Sequence, residues 1–500
     1  MSRVASERPD EFVEPPASGA TNRWIVLVIV CLAQFMVVLD ATVVNVALPS
    51  IQADLGFSAA NLQWVINAYT LVFGGFLLLG GRAGDLFGRR RLFLMGVAIF
   101  SFASLLNGLA TSDTWLVASR GLQGLGGALV SPAALSIITT TFAEGEDRTK
   151  ALGVWSAIAA GGGAFGLLLG GVLTDLLSWE WIFFVNVPIG IATAMLAIRH
   201  VPESRAVGRK GGVDLPGAVT VTAGLVVLVY AIVKAEDFGW GSGRTLGLAA
   251  VAFALLAAFV VIQQRSKAPL IRLGIFRVRS LAGANTVLLL VVGGLFAFFF
   301  FSSLYVQQIL GYSPLEAGLA FLPVTAGIGV GAAIAQQLVK RIGVRTTAGL
   351  GMLIAAFGLY LFAGVSVDGS YLSDVLPAVL PQSISMGLFF VPITLIATTN
   401  VGDEDAGLAS GLFNTAQQVG GALGLALLST LAADKSAGVL AELGRRPSEL
   451  ERANALLDGF QVAFIAAAIL VAFGAVLLML AVRKSDVAAL DPDAAPLPAA

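Results

Sequence analysis

Residues 24–48 read WIVLVIVCLAQFMVVLDATVVNVAL, and Asp40 is the only charged residue in this run. A bilayer core about 30 Å thick is crossed by roughly 20 apolar residues in an α-helix. The run therefore predicts a transmembrane helix. It follows an acidic, proline-containing tail and lacks a small-residue cleavage site, so we expect a retained helix and not a signal peptide.

Outward from this run, the rest of the chain has the same character. Its 500 residues are 57% hydrophobic and 12% charged, whereas a soluble domain carries about 25% charged residues. Similar apolar runs lie near residues 61–81, 92–111, 115–140, 151–174, 181–198, 216–233, 245–263, 281–308, 317–339, 346–366, 373–398, 408–432 and 459–482. The sequence therefore predicts an all-α polytopic membrane protein with fourteen transmembrane helices.

The distribution of basic residues supports an even number of helices, because cytoplasmic loops carry an excess of lysine and arginine. If both termini are cytoplasmic, the cytoplasmic segments hold 23 of the 30 lysine and arginine residues. One miscounted helix would invert every later loop and destroy this pattern. We expect a multi-pass protein of the cell membrane with both termini cytoplasmic. Its wealth of arginine, alanine and glycine is typical of a GC-rich bacterial genome.

An internal repeat divides the predicted helices into two sets. When Gly153 is aligned with Gly411, residues 162–169 match residues 420–427 at most positions. Secondary transporters are built from such repeats, because rocking one half against the other gives alternating access. We predict two pseudo-symmetric six-helix bundles with two helices inserted between them. The predicted segments are a disordered cytoplasmic tail at 1–22, bundles at 23–200 and 271–484, the inserted pair at 201–270, and a second disordered tail at 485–500.

Several kinds of site are excluded by the sequence. Cys31 and His200 are the only cysteine and histidine, which rules out disulfide frameworks, cysteine-rich metal sites and histidine proton relays. No G-x-x-x-x-G-K-[ST] motif occurs, so the chain has no ATP-hydrolysing site of that kind. We expect no catalytic residue, metal or cofactor, and neither a nucleotide nor a nucleic acid as partner. The expected partners are a small-molecule substrate, protons and the lipid bilayer.

Two charged residues lie well inside predicted helices, and a charge at that depth is expensive and usually functional. A helical rise of 1.5 Å per residue puts Asp40 about 12 Å, and Arg120 about 9 Å, below the same membrane face. We therefore expect the two side chains to meet or to share a water-filled cavity, and we predict that they couple transport to protons. The alternative is a static ion pair that only fixes helix packing.

Polar amides lie on the second, fourth and thirteenth predicted helices. Gln63 and Asn67 share a face of the second, Gln123 lies on the fourth, and Asn414 and Gln418 share a face of the thirteenth. Hydrogen bonds between helices explain any one of these amides without a ligand. As a set, they predict a polar-lined substrate cavity.

The loop after the second helix reads GRAGDLFGRRR at residues 81–91. The arginines of this loop, taken alone, would be explained as a signal that keeps the loop in the cytoplasm. Asp85 lies four residues before Arg89, and it can pair with Arg89 or accept hydrogen bonds from a helix N-terminus. We predict a cytoplasmic gate formed by Arg82, Asp85, Gly88 and Arg89.

These motifs resemble those of the major facilitator superfamily, and specifically its fourteen-helix drug:proton antiporter branch. Residues 81–90 are similar to the superfamily's signature loop, and residues 39–49 (LDATVVNVALP) resemble the first-helix motif of the branch. Residues 120–124 (RGLQG) resemble the fourth-helix motif whose arginine is associated with proton coupling. Residues 181–190 (WIFFVNVPIG) also match the branch.

The resemblance extends to the fifth helix, where Gly162, Gly166, Gly170 and Gly171 correspond to the antiporter motif. The chain has Gly166-Leu167 where that motif normally has a Gly-Pro step. The resemblance implies a proton-coupled antiporter that exports lipophilic or amphipathic small molecules, as in multidrug or antibiotic efflux. One alternative is an exporter dedicated to one metabolite, lipid or siderophore. Another is a membrane-embedded sensor or enzyme, for which the sequence offers neither a soluble effector domain nor a reactive cluster.

Overall fold

The computed structural model describes residues 22–143, 145–205, 212–402 and 405–490. These residues are almost entirely helical and contain no β-strand, which confirms the all-α prediction. The two predicted tails lie largely outside them. Asn22 accepts a hydrogen bond from the Trp24 amide and caps the first helix. Lys484–Leu490, which the sequence assigned largely to a disordered tail, form a short 3-10 helix.

The helices are labelled in chain order. They are α1 (Arg23–Leu55), α2 (Ala59–Leu62), α3 (Trp64–Phe87), α4 (Arg89–Gly108), α5 (Asp113–Thr141), α6 (Glu146–Leu176), α7 (Trp181–Phe184), α8 (Asn186–His200), α9 (Leu215–Phe238), α10 (Gly243–Arg265), α11 (Arg279–Leu304), α12 (Pro314–Ala320), α13 (Leu322–Ile342), α14 (Val344–Phe362), α15 (Leu376–Thr398), α16 (Ala406–Glu442) and α17 (Glu449–Ala481). A 3-10 turn (Leu273–Arg277) precedes α11, and π turns follow α11 (Tyr305–Ile309) and precede α15 (Tyr371–Val375).

Thirteen helical segments of the described chain are long and apolar enough to cross a membrane. Three of them are helix pairs, namely α2 with α3, α7 with α8, and α12 with α13. The predicted span at 151–174 falls on α6, of which only Phe165–Leu176 qualifies, as a shorter apolar helix. The count of fourteen therefore stays a prediction.

Large apolar side chains cover the outside of the bundle. Phe253 and Leu246 of α10 are 61% and 59% exposed, and Leu480 of α17 is 72% exposed. A soluble monomer rarely leaves so much apolar surface in contact with water. The exterior is therefore that of a multi-pass membrane protein, with lipid as its solvent.

The helices that repeat in sequence, α6 and α16, pack in equivalent ways. Gly166 of α6 lies against Thr42 of α1, with no room for a side chain between them. Gly424, which aligns with Gly166, lies equally close to Gly293 of α11. Because α1 and α11 are the first helices of the two predicted bundles, the repeat in sequence corresponds to a repeated contact in the structure.

The loops before α4 and α14 repeat as well. Gly88 and Gly343 precede these helices with φ of 108° and 80°, a backbone conformation that favours glycine. Arg90 donates to a backbone carbonyl near the end of α8, and Arg345 donates to one near the end of α17. Each arginine thus ties the loop of its bundle to the last helix of that bundle.

The helices of the predicted inserted pair, α9 and α10, lie against one seam between the two predicted bundles. Asp214, at the start of α9, accepts a hydrogen bond of 2.7 Å from Gln263 of α10 and so joins the pair. Val229 of α9 packs in one cluster with Leu71 of α3 and Ala422 of α16. The helix α9 therefore contacts one helix of each bundle.

The two ends of the molecule differ. At one end, Gln308 Nε2 donates to Gln52 Oε1 at 2.8 Å, and Gln307 Nε2 donates to the Val46 carbonyl at 3.0 Å. These bonds join α1 to the segment that follows α11, so the bundles touch here and we call this the closed end. The opposite end carries the loop at 81–91 and is called the open end, because the cavity described below reaches it.

Candidate functional site

A cavity of about 1490 Å³ lies between the two bundles. Apolar residues on its wall include Val37, Phe73, Leu77, Phe296, Phe299 and Ile328, and uncharged polar ones include Gln34, Asn45, Thr70, Asn414, Gln417 and Gln418. Small-molecule sites are commonly built this way, because apolar surface binds most of the ligand while a few polar groups orient it. The lining therefore suits an amphipathic compound.

Charged side chains line the mouth of the cavity at the open end. They are Arg82, Asp85, Arg148, Lys267 and Arg272. Among the described lining residues, Arg120 is the one charged side chain at the inner end. The mouth is thus predominantly basic, and the interior presents a single guanidinium.

Asp40 of α1 and Arg120 of α5 form a buried ion pair at this inner end. Arg120 Nη1 donates to Asp40 Oδ2 at 2.6 Å, and the residues are 1% and 0% exposed, respectively. The prediction that these two charges meet is confirmed. Each would be strongly destabilising without the other, because an unpaired charge in a dry interior keeps its full desolvation cost.

Asp40 accepts two further hydrogen bonds, both at Oδ1. Gln123 Nε2 donates at 2.7 Å, and Asn186 Nδ2 donates at 3.1 Å. The same two amides contact Ser104 Oγ, so α1, α4, α5 and α8 meet in one polar network. Donors around a carboxylate stabilise its charged form.

Arg120 and Tyr69 separate Asp40 from the cavity. The Arg120 guanidinium carbon lies 4.5 Å from the centre of the Tyr69 ring, which is a cation–π contact. Both residues line the cavity, whereas Asp40 has no exposed surface. Water or a ligand in the cavity therefore meets the guanidinium and the phenol before it can reach the carboxylate.

The five predicted cavity amides divide into two groups. Asn414 and Gln418 line the cavity, whereas Gln63, Asn67 and Gln123 are fully buried elsewhere. Asn67 Nδ2 donates to Gln63 Oε1 at 3.1 Å, and Gln123 belongs to the Asp40 network. Gln63 directly precedes α3 and Asn67 lies in its first turn, and neither side chain lines the cavity, although the neighbouring Ile66 and Thr70 do.

Sequence reasoning missed three residues of the site, namely Asn186, Ser104 and Tyr69. Asn186 lies in the apolar motif at 181–190, and the argument from polar groups in apolar spans that singled out Asp40 would also have found it. Ser104 and Tyr69 carry no comparable signal. Serine is a common packing residue between membrane helices, and an isolated tyrosine is unremarkable there.

At the open end, the loop at 81–91 contacts other residues of the first predicted bundle. Asp85 Oδ1 lies 3.1 Å from Arg89 Nη2, one helical turn away, as predicted. A different carboxylate, that of Glu203, accepts from the backbone amides of Arg90 and Arg91 at 3.2 and 3.1 Å. Glu203 thus occupies the start of α4, where a negative charge is favourable.

The four glycines of the predicted antiporter helix face two different neighbours. Gly162, Gly166 and Gly170 face α1, each within contact distance of its side chains or backbone. Gly171 faces α12, and a Cβ there would lie 2.6 Å from the Pro314 carbonyl oxygen. At the closed end, α6 therefore meets the other bundle through a residue without a side chain, which lets the backbones approach closely.

The chain matches known proteins along most of its length. The family model described as Major Facilitator Superfamily matches residues 30–425. The puromycin resistance protein of Streptomyces alboniger is 43% identical over 89% of this chain and 89% of its own. The cephamycin export protein of Amycolatopsis lactamdurans is 44% identical over 83% of this chain and 86% of its own.

A solved structure shares the fold. It is that of a bacterial homolog of the human lysosomal transporter Spinster in an inward-facing, unoccupied conformation. Its TM-score is 0.66 at 19% identity, covering 95% of this chain and 100% of that one. At this level of identity the similarity concerns the arrangement of helices alone.

Proposed function

The chain belongs to the major facilitator superfamily, and on that premise we propose that it exports lipophilic or amphipathic small molecules in exchange for protons. The names of the two relatives described above refer to resistance to one antibiotic and export of another. The observation that carries the proposal is the position of Asp40. It is an acid without exposed surface that lies behind Arg120 at the inner end of a large cavity.

The cavity supports export of amphipathic compounds of more than one shape. Its volume of about 1490 Å³ exceeds the roughly 300–1,000 Å³ typical of small-molecule sites. Phe73, Phe296 and Phe299 offer aromatic surface, and Asn414 and Gln418 offer hydrogen bonds on another wall. A compound can therefore bind in several positions, which favours multidrug efflux over transport of a single metabolite.

Coupling to protons would work through the Asp40–Arg120 pair. Arg120, Gln123 and Asn186 all donate to the carboxylate in this conformation. The surroundings of Asp40 would change as the cavity opens to one side and then to the other, and that change would load and release the proton. Protonation of Asp40 would break its ion pair with Arg120, and the displaced guanidinium, which lines the cavity, would weaken substrate binding, so that proton and substrate bind alternately.

The orientation follows from the charges at the mouth of the cavity. Arg82, Arg148, Lys267 and Arg272 lie at the open end, and basic residues mark the cytoplasmic side. The present conformation would accept substrate from the cytoplasm. Opening of the closed end would release substrate outside and expose Asp40 to external protons, and the return step would deliver a proton inside.

We further propose that α6 crosses the membrane, which brings the thirteen spans to fourteen. An even count places both termini on the same side of the membrane, and the distribution of basic residues indicates that this side is the cytoplasm. The bundles then comprise residues 23–200 and 271–484, and residues 201–270 form the inserted pair. This organisation is that of the fourteen-helix drug:proton antiporter branch.

Export is tested by accumulation assays in bacterial cells that lack their own efflux pumps. A panel of dyes and antibiotics, including puromycin and a cephamycin, is measured with and without a protonophore. We expect expression of the protein to lower accumulation of several compounds, and the protonophore to restore it. Persistent export without a proton gradient would exclude proton coupling. Exclusion of one compound only, without competition from the others, would indicate a dedicated exporter.

A further inference from the structure

A second, smaller pocket of about 290 Å³ lies at the closed end, and it shares no lining residue with the cavity. Phe300, Phe301 and Phe460 form an aromatic wall, and Ser429 contributes a hydroxyl. We propose that this pocket is a second binding site for a small neutral aromatic molecule with one hydrogen-bonding group. We further propose that its occupation holds the closed end shut and thereby inhibits export from the outside.

The chemistry of the lining defines the ligand. No charged side chain is found among the described residues that line the pocket. The Phe300 and Phe301 rings meet edge to face at 5.1 Å, and the Phe301 and Phe460 rings are 5.4 Å apart. Such a cluster offers both faces and edges to a further ring, which is the arrangement that aromatic groups prefer.

Four polar side chains distinguish this pocket from a gap filled by lipid tails, namely those of Gln52, Gln308, Ser429 and Ser436. Ser429 is the buried one among them. It is 3% exposed, and its Oγ has no hydrogen-bond partner. A buried hydroxyl without a partner is destabilising, and a ligand with one donor or acceptor would relieve that cost. An acyl chain could not do so.

The pocket is accessible from the surface at the closed end. Ala59 and Gln308, which line it, are both exposed. The hydrogen bond of 2.8 Å between Gln308 and Gln52 lies beside them. A small molecule can therefore enter without unfolding any helix.

The two bundles share the lining, which makes the pocket specific to one conformation. Ala59 and Leu62 belong to α2 of the first bundle, whereas Phe301 and Ser429 belong to α11 and α16 of the second. This step rests on the proposed alternating access, in which the closed end opens and these walls separate. A ligand that binds only one of two states shifts the population towards that state.

Binding is tested by photolabelling the full-length protein in nanodiscs with a diazirine derivative of benzyl alcohol. We expect saturable labelling near residues 300–308 and 429–436, competed by excess benzyl alcohol. Ser429→Leu or Ala433→Leu, each of which fills the pocket, should abolish the saturable part. Thr286→Leu removes an exposed hydroxyl elsewhere on α11 and should leave it unchanged. Labelling that does not saturate, or that persists in both filled variants, would mean simple partitioning and would overturn the site.

The conformational effect is tested with a disulfide at the closed end. Ser313 Oγ and Asp175 Oδ2 lie 3.5 Å apart on the two bundles, outside the pocket. In a Cys31→Ser background, benzyl alcohol should raise cross-linking of the Asp175→Cys, Ser313→Cys pair, and Ser429→Leu should remove that rise. Saturable labelling without a rise would overturn the inhibitory role. If the cross-linking yield also stays the same when exported compounds are added or a proton gradient is applied, the result would instead contradict alternating access itself.

Discussion

At the scale of single residues, Asp40 is surrounded by donors. Arg120, Gln123 and Asn186 each direct an N–H at its carboxylate. These three donors use three of the roughly four lone-pair sites of a carboxylate. Protonation at the remaining site would remove the negative charge that holds the Arg120 guanidinium, and this links a proton on Asp40 to the position of a side chain on α5.

Asp40→Asn should abolish proton exchange. The new amide cannot carry a proton in and out, and its NH₂ would face the donors that now bind the carboxylate. We expect substrate-driven proton release from proteoliposomes to fall to the level of empty vesicles at equal protein content.

The matched control for this variant is Asp237→Asn, which changes an exposed aspartate paired with Lys234 and should exchange like the wild type. Substrate counterflow, which needs no net proton movement, shows whether the Asp40→Asn protein still folds and binds. Exchange at the normal rate by Asp40→Asn would place the proton carrier elsewhere.

Asp85→Asn should impair transport while leaving insertion intact. The change removes the only acid in the loop at 81–91 and the partner of Arg89. Efflux is compared in cells with matched amounts of protein. Glu146→Gln, which breaks an exposed pair with Lys150, serves as the control. Full efflux by the Asp85→Asn variant would mean that the loop only sets the orientation of the protein in the membrane.

The Asp40–Arg120 pair could be predicted because charges stand out in apolar runs and the helical rise gives their depth. The residues that surround this pair could not be predicted. Depth does not tell which way a side chain points, so Gln63 and Asn67 were assigned to a cavity that they do not line. The sequence does not predict that Ser104 belongs to the Asp40 network, for the same reason. Its role depends on how α4 is rotated against α5 and α8.

At the scale of helices, α6 depends on the absence of side chains where it meets α12. Gly171→Val would place methyl groups against the Pro314 carbonyl and keep the two helices apart. Overpacking of this kind costs about 1–3 kcal/mol, and one or two kcal/mol changes a two-state ratio roughly 5- to 30-fold. We expect reduced export and reduced cross-linking of the Asp175→Cys, Ser313→Cys pair.

Gly153→Val provides the control on the same helix, because no neighbouring atom lies within 4 Å of a Cβ at Gly153. This variant carries the same loss of glycine and the same β-branched side chain. It should export and cross-link like the wild type. Equal defects in both variants would point to a general effect on α6 and not to its contact with α12.

The spans were predictable from the apolar runs, whereas their internal breaks were not. The chain interrupts one span at Gln63, between α2 and α3, and another at Phe321, between α12 and α13. Both interruptions lie within segments that as a whole are apolar enough to cross a membrane, and caps and tertiary contacts decide where the backbone breaks. The helix α16 also continues to Glu442, beyond its predicted end at residue 432, since hydropathy detects only the part that lies in lipid.

At the scale of the whole molecule, the helix count fixes where the termini lie. With fourteen spans, tags at residue 2 and at residue 500 should both resist labelling from outside intact cells. Permeabilised cells provide the positive control, because both tags should then react. External labelling of one tag alone would mean an odd number of spans, and it would contradict the proposal that α6 crosses the membrane.

The position of α9 has a mechanical consequence. It is packed at once against Leu71 of α3 and Ala422 of α16, so the bundles cannot part along this seam without breaking apolar contacts. Under the proposed alternating access, this seam would therefore act as a fulcrum. Displacement grows with distance from a fulcrum, so the largest movements would fall on the opposite flank, where α6 faces α12 and α13.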